Sequence, residues 1–394
     1  MVETKEISST EDNGTSRRIR VMHLLNTEVR GGIEEGVLSL LRNLNRERFA
    51  TALACPRRLI DAYGHDLDEL GVDVYSIPAV SRPYDIGGML RLARVLRSAA
   101  PDVLHTHLFT MSLCAAPLAK AYGVRVVIES CRIREGWRRG IWKHHFVDRL
   151  VNRCVDVNIA ISESLKRYLV EEKGFPARKV VLIRNGRELS RVVAAPRRDA
   201  AALRNELGLD SRGPVIVVPA RLEFPKGHRH LLDALPKVIE NYPNLSVVLV
   251  GDGSLRMEIE SQIARLALRE HVCMTGYRRD VYDLVRLGDL VVLPSLFEGL
   301  PLAAIEAGAL GKAIVATSVD GTPEVVLHGK TGWLVPPANP DELASGICKL
   351  LADDELRNQM GARAREYVTQ EYSFDRLVDQ TEQLYARLCE PFIH

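Results

Sequence analysis

The chain's seven cysteines include no C-x-x-C pair; they are scattered through 394 residues and odd in number. That usage argues against a disulfide framework or a zinc site and fits a reducing cytoplasm. Long apolar runs are missing too, since none approaches the ~18–20 residues that cross a bilayer. Residues 1–16 (MVETKEISSTEDNGTS) are polar and acidic, without the apolar core of a secretory signal. Residues 1–17 are therefore expected to be a disordered lead-in. Charge of one sign is not in excess: 53 basic and 51 acidic residues leave a net of +2, and no nucleic-acid partner is expected. H-E-x-x-H, G-x-S-x-G and the dinucleotide fingerprint G-x-G-x-x-G are all absent. Gly329-Lys330-Thr331 resembles the end of a P-loop, but Glu324 stands where that loop needs glycine. Gly251-Asp252-Gly253 lacks the third glycine of a dinucleotide site. Asp66-Leu67-Asp68 has a D-x-D form, yet it lies in a helical pattern with Leu67 and Leu70.

What is present is ordinary globular composition, 46% hydrophobic and 26% charged, in a chain long enough for two cores. The neutral sum hides an asymmetry. Residues 1–190 carry a net of +7 and residues 191–394 a net of −5, a sign of a basic lobe facing something anionic. Short β-branched runs alternate with helical periods throughout. Strands are expected at 20–25, 73–77, 103–106, 125–128, 157–161 and 180–183. A second series is expected at 215–218, 246–250, 272–274, 290–293, 313–316 and 332–335. Apolar runs of four to six suit strands buried on both faces, and their alternation with helices implies parallel sheets. Two series imply an α/β protein of two doubly wound, Rossmann-like domains facing across a cleft. The charged, strandless stretch 190–213 places the boundary, giving domains at 18–190 and 191–373. Open parallel sheets bind ligands at the carboxyl ends of their strands.

Three loops at such ends can carry chemistry. Gly31 and Gly32 follow the first strand and open a helix, where free N–H groups favour an anion. In the second series, 219–227 (PARLEFPKG) places Arg221 and Lys226 five apart at a strand end. Arg221 can fork onto two phosphate oxygens and Lys226 adds a point charge. The strongest element is 293–307 (LPSLFEGLPLAAIEA). A buried strand ends at Pro294, a turn carries Glu298, and a helix begins at Leu302. The N–H groups of Gly299, Leu300 and Leu302 can point at an anion, whereas Pro301 has none. Glu306 lies among alanines and isoleucine, so its carboxylate needs a partner. Vicinal ribose hydroxyls would supply one; a salt bridge is the plainer alternative, as is helix capping for Glu298.

Together GGIEE at 31–35, ARLEFPKG at 220–227, VVLVGDG at 247–253, FEGLPLAAIEA at 297–307 and DGTPEVV at 320–326 resemble the GT-B glycosyltransferases. The retaining glycosyltransferase family 4 is the particular likeness, over residues 18–390. The resemblance implies a transferase whose second domain binds a nucleotide-sugar donor, UDP- or GDP-linked, with no cofactor and no metal. Arg221 and Lys226 would neutralise the donor diphosphate, Glu306 would hold the ribose, and Glu298 would contact the transferred sugar. Gly31 and Gly32 would close over the diphosphate, and the base would sit near Tyr277. A C-terminal helix (about 374–394) would cross back onto the first domain. The acceptor would be lipid-linked, a glycolipid or a polysaccharide of the cell envelope.

One departure bears on that acceptor. Many members of the family carry a histidine after the strand matching 125–128, but here the chain reads Glu129-Ser130-Cys131-Arg132. His107, at the end of the preceding strand, is the candidate replacement. The segment 132–153 carries seven Lys/Arg, two acids, Trp137, Trp142 and Phe146, a composition that suits an anionic membrane surface. The expected enzyme is thus cytoplasmic and peripheral to the membrane. The alternatives are a GT-B nucleotide-sugar epimerase and a non-catalytic nucleotide-sugar-binding partner protein.

Overall fold

The computed structural model describes residues 17–28, 31–78, 86–107, 109–134, 142–210 and 212–392, with 109, 110 and 142–145 described by backbone alone. Thirteen strands are present among them: β1 Ile19–Leu24, β2 Phe49–Pro56, β3 Asp73–Ile77, β4 Val103–His107, β5 Val126–Cys131, β6 Val157–Ala160 and β7 Val180–Leu182, then β8 Val215–Pro219, β9 Ser246–Val250, β10 Val272–Gly276, β11 Leu290–Leu293, β12 Ile314–Thr317 and β13 Trp333–Val335. They form a seven-stranded sheet, order β3-β2-β1-β4-β5-β6-β7, and a six-stranded sheet, order β10-β9-β8-β11-β12-β13. Strands pair in parallel in both. The expected α/β architecture of two doubly wound sheets is what folds.

The first series holds one strand more than the sequence pattern indicated. β2 (FATALACP) was missed because three alanines and a proline carry little of the β-branched signal that marks a buried strand. β5 also runs three residues further than expected, so Glu129, Ser130 and Cys131 lie within the strand and Arg132 is the first residue beyond it. Of the expected lead-in, only Arg17 is among the described residues; it donates to Asp102 at 3.0 Å. The 190–213 interval holds two short helices, Leu189–Ala194 and Ala200–Glu206, the second capped by Asp199.

Two compact units divide the chain. The first comprises 1–106, 110–128 and 382–394; the second comprises 107–109 and 129–381. In the first, Val37, Leu38 and Leu41 of helix Gly32–Asn43 pack with Leu53, Leu59 and Leu67. Leu67 is thus the buried member of Asp66-Leu67-Asp68, which sits on the short helix His65–Asp68. The 382–394 segment supplies Tyr385, fully buried, whose hydroxyl meets His105 Nδ1 at 2.6 Å and His23 Nε2 at 3.1 Å.

In the second unit the six-stranded sheet is apolar on both faces, as the unbroken runs required. Val215, Val217, Val291 and Leu293 join one cluster with Ala304, Ile305 and Val368. Their neighbours Ile216, Val218, Leu290 and Val292 join the other with Leu231, Leu235, Leu343 and Ile347. Alternate residues of each strand therefore feed opposite layers, each closed by helices. At ~25 cal/mol per Å² of apolar surface, such two-sided burial is the main stabilising term of the unit. The chain leaves β8 for β9 and β10 on one side, then returns to β11 on the other. The loops after β8 and β11 therefore flank a switch point, the place where doubly wound sheets bind ligands.

Candidate active site

Lys226 and Glu298 meet at that switch point. Lys226 stands at the end of a short 3-10 turn after β8, and Glu298 lies in the turn after β11. The ammonium is 2.5 Å from Glu298 Oε1, which also accepts from Ser295 Oγ at 2.8 Å. Backbone fixes the two loops together, because Leu296 N–H donates to the Pro225 carbonyl at 2.7 Å. Gly227 makes this approach feasible. It has φ of 65°, and a Cβ there would lie 2.0 Å from the Pro294 carbonyl oxygen. Glu298 does not cap the following helix, whose N-cap Pro301 has no side-chain hydrogen bond.

The turn is held from its other side by Asp320, which accepts from the Glu298 N–H at 3.0 Å. Arg134 faces the second oxygen of Asp320 at 3.5 Å. Asp320 adopts φ of 41°, an uncommon conformation for a side chain with a Cβ, and precedes Gly321 in the 320–326 loop. Gly299 leaves no room for a side chain, since its Cβ would lie 2.0 Å from the Arg132 carbonyl. Arg132 in turn reaches His107, with Nη2 3.3 Å from Nδ1. Buried His107, the last residue of β4, is therefore tied through Arg132 to the Glu298 turn.

Glu306 lies one helix turn deeper, on Leu302–Ala309. Burial pushes its carboxyl up, while Arg187 and Tyr282 pull it down. Arg187 Nε stands 2.9 Å from Oε1, close enough to pair but not aligned for a hydrogen bond. Burial, then the Glu306 charge, raises Tyr282 to about 12. The salt-bridge alternative is thus realised for Glu306. Leu300 is buried, and Gly299 and Leu302 are partly exposed.

Arg221 is exposed and has no ion pair among the described residues. Its loop is tied to the one after β9, where Leu222 N–H donates to the Asp252 carbonyl and Leu255 N–H to the Leu222 carbonyl, both at 3.0 Å. The glycines of Gly251-Asp252-Gly253 serve that contact. Their Cβ atoms would fall 2.2 Å from the Ala220 carbonyl and 2.4 Å from that of Leu222. Tyr277 is 80% exposed beyond β10. Its neighbour Arg278 is engaged by Asp280 at 2.6 Å and by Glu206 at 2.7 Å.

In the first unit, Gly31 N-caps helix Gly32–Asn43 without a side-chain bond. The buried Glu34 carboxylate accepts from Thr27 Oγ1 at 2.6 Å, and a Cβ on Gly31 would press within 2.7 Å of it. Glu34 and Glu35 already place negative charge in the first turn, where a bound phosphate would compete with them.

Sequence reasoning missed Arg187, Tyr282, Ser295, Arg134 and the role of Asp320. Ser295 and Asp320 lie inside motifs it had singled out. Arg187 and Tyr282 arrive from elsewhere in the chain and carry no local signal, and Arg134 lies in the basic segment 132–153, which was read for a membrane and not for this turn.

Comparison with known proteins identifies the family. The family model for glycosyl transferases group 1 matches residues 199–367, and that for the glycosyl transferase 4-like domain matches residues 31–186. With its two parallel α/β sheets, the protein is a GT-B glycosyltransferase. Within that class it belongs to the family 4 type. An uncharacterized glycosyltransferase of Methanocaldococcus jannaschii is 27% identical, over 83% of this chain and 88% of its own. The Escherichia coli UDP-Gal:alpha-D-GlcNAc-diphosphoundecaprenol alpha-1,3-galactosyltransferase is 24% identical, over 94% and 97%. The crystal structure of Anabaena HepE with UDP and glucose superposes with a TM-score of 0.82 at 23% identity, covering 94% of this chain and 100% of that one.

Proposed function

We propose that this glycosyltransferase moves a sugar, with retention and without a metal, from a UDP- or GDP-linked donor to a lipid-linked or saccharide acceptor. The observation that carries the reading is the Lys226–Glu298 pair at the β8/β11 switch point. Cleaving a glycosyl–phosphate bond builds negative charge on the departing diphosphate and positive character on the sugar. A lysine and a carboxylate side by side match both. Lys226 exchanges its carboxylate partner for phosphate oxygens when donor binds, joined by exposed Arg221. Glu298, released but still held by Ser295, turns to the sugar. Fixed cations of this kind act electrostatically on the leaving group. Glu306 holds the ribose, Tyr277 borders the base, and Gly31 and Gly32 approach the diphosphate. His107, oriented by Arg132, lies toward the acceptor. The retaining course rests on the family resemblance, and the division into domains at 18–190 and 191–373 rests on the charged, strandless stretch 190–213 of the sequence.

The diphosphoundecaprenol acceptor named for the Escherichia coli relative supports a lipid-linked acceptor. So does helix Trp142–Val151, where Phe146 and Leu150, four apart on one face, are 65% and 50% exposed beside Val147. No described helix is long and apolar enough to cross a membrane; contact with the cytoplasmic face would be made by this exposed apolar surface. Residues 135–141, with Trp137, lie outside the described residues, and so do the side chains of 142–145.

Transfer of radiolabel from UDP- and GDP-sugars to lipid extract tests the reading. Wild type should transfer label in EDTA, and Glu298→Gln should not. Absence of transfer from every donor, or unaltered transfer by the variant, would overturn it. Donor turnover without acceptor would instead mark an epimerase.

A further inference from the structure

A second cavity, of about 460 Å³, lies in the second unit between the start of helix His228–Asn241 and helix Arg256–Arg265. Its inner wall holds an anomaly. His228 is 2% exposed, yet neither ring nitrogen has a hydrogen-bond partner among the described residues. Half-buried His271, by contrast, places Nδ1 2.9 Å from the Leu245 carbonyl. Leaving a buried imidazole unpartnered is costly, and it is the kind of cost a ligand removes.

The rest of the lining gives the ligand's character. The fourteen-residue helix opens at Gly227 with no side-chain cap and no acid in its first turn, so its end is open to an anion. Arg229 and Arg265 line the cavity, are exposed, and have no ion pair among the described residues; Glu258 is the carboxylate of the lining. Phe224 and Met257, 55% and 79% exposed, offer apolar faces to a flat group.

We propose that this cavity binds a small organic phosphate with a flat apolar body. The phosphate meets Arg229, Arg265 and the helix end, the ring lies against Phe224 and Met257, and a polar atom of the ligand satisfies His228. Phe224 and Gly227 belong to the same loop as Arg221 and Lys226, so occupancy stiffens the loop and changes donor affinity. That coupling rests on the donor reading above; the binding itself does not.

The test is thermal shift and calorimetry on the full chain saturated with both UDP and GDP, which removes the donor site from competition on either donor reading. AMP and phenyl phosphate are the probes, with adenosine and inorganic phosphate as controls lacking the charge or the ring. AMP, phenyl phosphate or both should bind. If AMP alone binds, the ligand is a nucleotide; if both do, any aromatic phosphate suffices. Met257→Asp and Arg265→Glu, both at exposed positions, should weaken binding at least tenfold while leaving UDP affinity unchanged. Donor KM should shift when the cavity is filled. Absence of binding by both probes, equal binding by either control, or indifference to both substitutions would overturn the site. If binding is found but Glu298→Gln leaves transfer intact, the donor reading fails and the site stands.

Discussion

Glu298 is where charge balance is most exposed to a single substitution. Lys226→Met would leave its carboxylate with only Ser295 as a side-chain partner and the diphosphate with one cation fewer. The expected result is a fall in kcat of roughly 10²–10³, the usual cost of one preorganised electrostatic contact, with a raised donor KM in steady-state transfer assays. Lys226→Arg should restore part of it. Gly299→Ala tests packing instead of charge. Its methyl would have to displace the Arg132 backbone, 2.0 Å away, and with it the contact to His107. Overpacking of this kind costs about 1–3 kcal/mol, readable in urea unfolding. Both substitutions concern loops whose importance was plain from residue types at strand ends. Which atoms touch was not, because the partners Asp320 and Arg134 come from separate segments.

Elements were legible to the extent that their periodicity was clean. β11 is uniformly apolar and β9 is so after Ser246, and their limits coincide with those read from the chain. β2 was hidden by alanines, and β5 by the polar residues Glu129 and Ser130 that continue it. Polar residues at the end of a buried strand read as loop, although a sheet's functional edge is where they are expected. Helix Leu302–Ala309 shows the complementary difficulty. Its sequence demanded a partner for Glu306 without naming Arg187, more than a hundred residues earlier. Arg187→Met should leave that carboxylate with Tyr282 alone, raising its pKa further and destabilising the second unit by about 3 kcal/mol. Glu306→Gln in the same chain should recover part of the loss in a double-mutant cycle. Lys173 and Asp148, 3.2 Å apart and almost fully buried, predict a similar penalty for Lys173→Met, again measured by urea unfolding.

Across the whole molecule, stability should fall in mild acid chiefly through one group, His228, with a lesser part from His230, whose burial also holds it below 6.5. Burial, reinforced by the Lys226 charge, holds His228 down at about 4 against an ordinary 6.5. The unfolded chain therefore takes up a proton that the folded one refuses between those values. Stability is fully present above pH 6.5 and is lost as pH falls toward 4, by about 3 kcal/mol at 1.36 kcal/mol per pKa unit. Denaturant titrations at pH 7 and pH 4.5 should show the drop, and His228→Leu should flatten it.

Tyr385 carries a consequence for synthesis. It lies 280 residues beyond His105, whose ring it bonds inside the first unit, and that unit takes residues 382–394 from the end of the chain. A ribosome must therefore release the chain past residue 385 before the first unit has its last buried hydroxyl. The usual order, in which an N-terminal domain finishes first, is reversed here: the earliest strands wait, with His23 and His105 uncovered by Tyr385, for the final helix. A chain stopped at residue 381 should accordingly yield a second unit that folds and a first that is trapped by protease or chaperone, visible in pulse proteolysis of the truncated product.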